Sequence, residues 1–88
     1  MSDAAAACPA VAKLFRLQWE EAQQSWVLLY PEGMVKLNQS AAEILKRCDG
    51  NADVATIVAQ LERTFAQTDL QDDVLAFIAD ARERGWLV

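Results

Sequence analysis

The chain has no histidine, only two cysteines, two prolines and three glycines, and no apolar run long enough to cross a bilayer. Each shortage closes off a class of function. Histidine is the side chain whose ordinary pKa lies closest to neutrality, so without it Ser-His or Cys-His nucleophiles and His-bearing zinc sites are excluded. Cys8 and Cys48 are far outside CxxC spacing, which leaves no thiolate cluster for a metal or an iron-sulfur centre. Unpaired thiols fit a reducing cytoplasm. Gly33, Gly50 and Gly85 each stand at a turn or a helix end, so no glycine-rich phosphate loop is present. The expectation is a cytoplasmic protein that holds no cofactor and no metal. Residues 1–12 are alanine-rich without a basic start, and read as a flexible tail rather than a secretory signal or membrane anchor.

Positive charge is also in short supply. Eight basic residues stand against thirteen acidic ones, a net charge of -5, so most of the surface repels a phosphate backbone. What the chain does have is apolar content: 53% of residues are hydrophobic and 24% charged, the balance of a folded domain. Its 88 residues suffice for a single domain over 13–88, too small for a large enzyme pocket.

Leu14 to Trp19 alternates, with Phe15, Leu17 and Trp19 on one side, which predicts a strand. Glu20 to Gln24 is a polar connection. Trp26 to Tyr30 is apolar on both faces and rich in β-favouring types, the pattern of a central strand. Pro31, Glu32 and Gly33 make a turn, and Met34 to Leu37 returns as a third strand. From Asn38 the period changes to that of a helix. Ser40 to Glu43 reads as a capping box for a first helix with Ala41, Ile44, Leu45 and Cys48 inward, ended by Asp49 and Gly50. Asp53 caps a second helix with an apolar stripe of Val54, Ile57, Val58, Leu61 and Phe65. Thr68 to Gln71 resembles another capping box, opening a third helix whose Leu70, Val74, Phe77, Ile78 and Ala81 line one face and which stops near Gly85. Trp86 to Val88 either packs back or hangs free. The predicted fold class is α+β: a three-stranded antiparallel sheet followed by three helices, a small winged helix-turn-helix-like domain.

No residue stands out for catalysis. Asp72 and Asp73 are neighbours on a helix and point about 100° apart, so they cannot share a proton; an acidic helix start that complements the dipole explains them. Cys48, near a helix end, reads as a small buried hydrophobe. A winged helix invites comparison with DNA-binding domains, but between Asn38 and Val88 nine acids face five bases, and Asp69, Asp72 and Asp73 crowd the start of the third helix. The remaining candidate is a surface for another chain. Three helices cover one face of so small a sheet, and its Met34 to Leu37 edge carries one charge, Lys36, against unwanted pairing. Either an extended peptide adds to that edge or a second copy of the chain does.

The run Val27 to Asn38, VLLYPEGMVKLN, with Ser40-Ala41, Ile44-Leu45, Asp49-Gly50, Asp73-Val74 and the closing Arg84-Gly85-Trp86-Leu87, resembles the pyrroloquinoline quinone (PQQ) biosynthesis protein D family. The upstream Phe15 to Glu20 also fits, so the likeness runs from Leu14 to Val88. It implies the fold of ribosomal-peptide recognition elements and a non-catalytic peptide chaperone. Such a chaperone binds a ribosomal precursor peptide and presents it to a radical S-adenosylmethionine enzyme that cross-links a Glu and a Tyr. The resemblance further implies strand addition along Met34, Val35, Lys36 and Leu37, in a groove walled by the third helix, for which Leu75, Ile78, Ala79 and Arg82 are the candidate positions. Two rival expectations stand beside it: a homodimerising interaction domain without peptide recognition, and a winged-helix DNA-binding module.

Overall fold

The computed structural model describes residues 8–88. Three strands, β1 (Arg16–Glu20), β2 (Ser25–Tyr30) and β3 (Gly33–Lys36), are followed by three helices, α1 (Gln39–Lys46), α2 (Val54–Phe65) and α3 (Gln71–Glu83). The strands form an antiparallel meander in the order β1-β2-β3, so each outer strand has one unpaired side. The α+β order of three strands and three helices is the one the sequence predicts.

The register explains the two-faced central strand. Leu17 lies opposite Leu28, and Leu28 opposite Val35, so these three share the face that packs on the helices. There Leu28, Leu37, Leu45, Ile57, Leu61, Ile78 and Leu87 form the core. Leu28 is fully buried, a contribution of roughly 2–3 kcal/mol for one side chain. Val27 faces the other way, between Gln18 and Lys36 in the register, and is nonetheless 0% exposed. The outer face is thus unevenly covered, with Val27 buried and Met34 46% exposed.

The ends of the helices depart from the predicted caps in two places. α1 is capped two residues before the expected Ser40: Asn38, in extended conformation, accepts the Ala41 amide on its side chain at 2.7 Å, and Glu43 bonds Arg47 and Lys46 instead of reaching back. α2 is capped as predicted, with Asp53 accepting the Thr56 amide at 2.8 Å. It ends with Ala66 left-handed at φ +53 and the Gln67 amide bonded to the Glu62 carbonyl. α3 has no side-chain cap; Asp69, at φ +61, turns the chain so that Thr68 does not serve, and the amide of Leu70 donates to the Glu62 carboxylate of α2 at 3.1 Å. A tertiary bond takes the place of a local one.

The expected tail was 1–12, of which 1–7 lie outside the described residues. Residues 8–12 do not form a tail. Ala10 and Val88 exchange backbone bonds of 3.2 and 2.8 Å, Val11 donates to Cys48, and Ala12 donates to Trp86 at 2.8 Å. Pro9 is buried and accepts the Gly50 amide. Gly50 needs φ +84, and a Cβ there would come within 3.4 Å of the Ala10 methyl, so a glycine suits the junction. The same clasp resolves the alternative left open for the C-terminus, which packs back, with Leu87 only 3% exposed.

Candidate functional site

In an antiparallel pair, residues alternate between pointing both backbone groups at the partner strand and pointing both away. The Leu37 amide donates to the Trp26 carbonyl at 2.9 Å, which sets the phase for β3. Val35, opposite Leu28, therefore points at β2, whereas Met34 and Lys36, opposite Leu29 and Val27, present their N–H and C=O groups to the open side. Among the described residues, neither makes a backbone bond beyond the sheet. Side chains alternate as well: Val35 and Leu37 face the helices, and Met34, 46% exposed, and Lys36 face away from them.

Beside this open edge runs a groove. One part, about 350 Å³, is lined by Val35 to Asn38, Ala41, Phe77, Asp80, Arg84 and Trp86. The adjoining part shares Val35, Arg84 and Trp86 and extends to Phe15 and Tyr30, whose rings pack at 5.4 Å. Gly85 builds the end of the groove: its left-handed φ of +83 breaks α3 and lets the Trp86 amide return to the Ala81 carbonyl at 2.9 Å, which brings the indole back beside the helix. The groove is thus half-buried aromatic and aliphatic surface bordered by Lys36 at the strand edge and by one charged pair at its rim. That pair is Arg84 Nε donating to Asp80 Oδ2 at 2.8 Å, with both side chains more than half exposed and the guanidinium 5.6 Å from the Trp86 ring.

Of the residues expected at the site, the structure places Val35, Lys36 and Leu37 with α3 at the groove, by a different helix face from the one expected, and Met34 lines neither part of it. Ile78 is 2% exposed and belongs to the core. Leu75 and Ala79 are exposed, and neither they nor Arg82 line the groove. At 100° per residue these three sit roughly 140–200° around the helix from Phe77. Phe77, Asp80 and Arg84, spaced i, i+3 and i+7, are the wall instead. The signal for them was present: the core stripe Val74, Ile78 and Ala81 fixes the buried face, and the neighbouring stripe on one side is 77, 80 and 84. The groove's second wall, Trp86, follows a glycine at the end of the helix.

Elsewhere the chemistry is quiet. The Cys48 thiol donates to the Ile44 carbonyl at 3.2 Å, and burial pushes its pKa up to about 11, which keeps it protonated. No group of three or more His, Cys, Asp or Glu suited to a metal occurs among the described residues. None of the helices described is long and apolar enough to cross a membrane. A second hollow, near Trp19 and Trp26, is bordered by the Trp19 indole, which donates to Glu21, by Glu43, which holds Lys46 and Arg47, and by the Ser25 hydroxyl, which is buried without a partner among the described residues.

Comparison with known proteins matches residues 25–87 to the family model for coenzyme PQQ synthesis protein D. The PqqA binding protein of Azotobacter vinelandii is 54% identical over 80 residues, 90% of this chain and 87% of that protein. The PqqA binding protein of Methylococcus capsulatus is 46% identical over 77 residues, 88% of this chain and 83% of its own length. Among solved structures, the PqqD truncation of Methylobacterium extorquens PqqCD is similar with a TM-score of 0.74 and 29% identity, covering 91% of this chain and 87% of that one. That structure is described as a functional, stand-alone recognition element for ribosomally synthesized and post-translationally modified peptides.

Proposed function

We infer that this chain, which belongs to the coenzyme PQQ synthesis protein D family, is a peptide-binding chaperone of PQQ biosynthesis that captures the precursor peptide PqqA as an extended strand along β3. The observation that carries this reading is the open edge: the outward N–H and C=O groups of Met34 and Lys36 beside an aromatic groove. Backbone pairing at those four groups contributes roughly 0.5–1.5 kcal/mol each, or about 2–6 kcal/mol together. Micromolar affinity needs about 8 kcal/mol, so apolar contact with Phe77, Trp86 and Ala41 supplies the remainder. Four backbone groups alone would bind too weakly and without discrimination.

The chaperone presents the bound peptide to a radical S-adenosylmethionine enzyme in the cytoplasm, and the cross-linking chemistry stays with that enzyme. This chain's part is to hold the peptide in one register and raise its local concentration at the enzyme, which needs no tuned acid, base or nucleophile. The protonated, buried thiol of Cys48 fits that division of labour. A second copy of the chain is the competing occupant, since β1 also has an unpaired side, with Leu17 and the 42%-exposed Trp19 along it.

Titration of the ¹⁵N-labelled protein with PqqA tests the reading. The expected result is saturable amide shifts along Met34 to Leu37 and at Phe77, Arg84 and Trp86. Shifts confined to β1, or a concentration-dependent dimer that PqqA leaves unchanged, would support self-association instead.

A further inference from the structure

The two faces of an added strand meet very different neighbours on β3. On the helix side, residues of the peptide lie beside Val35, Leu37, Phe77 and Trp86. On the other side, they lie beside Met34 and Lys36. Lys36 is exposed and makes no ion pair among the described residues. The row it belongs to, Gln18, Val27 and Lys36, contains no carboxylate. Glu20, the nearest acid on that face of the sheet, is two strands away and one row along, and is bonded to Gln18 at 2.8 Å. Asp80 belongs to the groove and is held by Arg84. In a chain of net charge -5, the edge that would receive a peptide therefore ends in an unpaired cation.

Resting on the peptide-binding reading above, we propose that β3 selects an extended segment of alternating character, with apolar side chains entering the groove at every second position and a carboxylate on the opposite face directly across from Lys36. Directly opposed residues share a face whether the added strand runs parallel or antiparallel, so the pattern holds in both orientations. Backbone bonds supply attachment; the groove accepts or rejects bulk; Lys36 fixes the register. A slip of one residue puts the acidic side chain into the aromatic groove and the apolar ones into water, so one exposed charge acts with the groove to specify a single pairing.

The test is a charge-reversal matrix read by anisotropy of labelled PqqA. Wild-type protein, Lys36→Gln and Lys36→Glu are each titrated with PqqA and with a panel in which every Asp and Glu of the peptide is changed singly to Lys. Unchanged PqqA should bind Lys36→Glu roughly three- to tenfold more weakly than wild type, with Lys36→Gln in between. One acidic position should stand out, its Lys variant losing affinity for the wild type and regaining it with Lys36→Glu. Equal affinity of all three proteins for every peptide would overturn the charge pairing while leaving peptide binding intact. Failure of wild-type protein to bind unchanged PqqA would overturn the underlying reading, and this proposal with it.

Discussion

The amide of Leu37 donates to the carbonyl of Trp26 at 2.9 Å, and that single bond determines which groups of β3 are spent inside the sheet and which remain available. Val35 is spent; Met34 and Lys36 are available.

Proline substitution separates the two kinds of position. Val35→Pro removes a bond to β2 and leaves its acceptor unsatisfied, which should destabilise the domain by about 1–3 kcal/mol in urea unfolding. Lys36→Pro removes an N–H that faces away from the sheet, where proline is tolerated. The expected outcome is near wild-type stability with PqqA affinity at least about fivefold below that of Lys36→Gln, which removes the charge alone. Equal affinity for Lys36→Pro and Lys36→Gln would place the peptide elsewhere.

The proposed role of the groove-lining face of α3 is equally testable. Phe77 is half-buried in the groove wall, so Phe77→Ala should weaken PqqA binding by about 1–2 kcal/mol. Leu75 is 41% exposed on the far side of the helix. Leu75→Ala should leave both affinity and stability within about 0.5 kcal/mol of wild type, checked by calorimetry and urea unfolding.

Residues 9–12, the N-terminal side of the clasp, lie outside the stretch matched by the family model, yet Ala12 holds the backbone of Trp86 and the Phe15 amide bonds back to the Ala12 carbonyl at 3.0 Å. Both aromatic residues line the groove. Deletion of residues 1–12 removes six backbone bonds made at positions 9 to 12, and should lower unfolding free energy by roughly 3–9 kcal/mol. PqqA affinity should fall as well, measured at a temperature where the truncated protein remains folded.

The pH dependence follows from two carboxylates. The hydrogen bond from Arg47, with help from Lys46, holds Glu43 below its ordinary value of 4.5, although partial burial opposes the shift; the Thr56 amide holds Asp53 below 3.8. Because both folded values are depressed, the unfolded chain binds more protons, and this stabilisation is complete above the unfolded values and lost as pH falls through the folded ones. With no histidine present, the urea midpoint should be flat from pH 8 to about 6 and drop below about pH 5. Glu43→Gln should make that drop shallower.

Much of this was legible in the residues themselves. The alternation in β1, the two-sided apolar β2 and the stripe Val54, Ile57, Val58, Leu61, Phe65 report local periodicities that packing respects, and so gave the right elements in the right order. The caps expected at Ser40 and Thr68 give way for different reasons: Asn38 already caps α1 while Glu43 takes Arg47 one turn on, and the Leu70 amide finds Glu62 on another helix. The clasp was hidden because Pro9 to Ala12 owes its order to Trp86, Val88, Cys48 and Gly50, all distant in sequence. The helix positions expected beside β3 differ from those that line the groove because the face of α3 at the edge depends on how the helix rolls against the core, which Val74, Ile78 and Ala81 settle.

The most direct measurement is hydrogen exchange at four consecutive amides, with and without saturating PqqA. In the free protein Met34 and Lys36 should exchange rapidly while Val35 and Leu37 are protected by the sheet; with peptide bound, Met34 and Lys36 should become protected too, restoring one level along the strand. Persistence of the alternating fast and slow pattern at full saturation would contradict strand addition at β3.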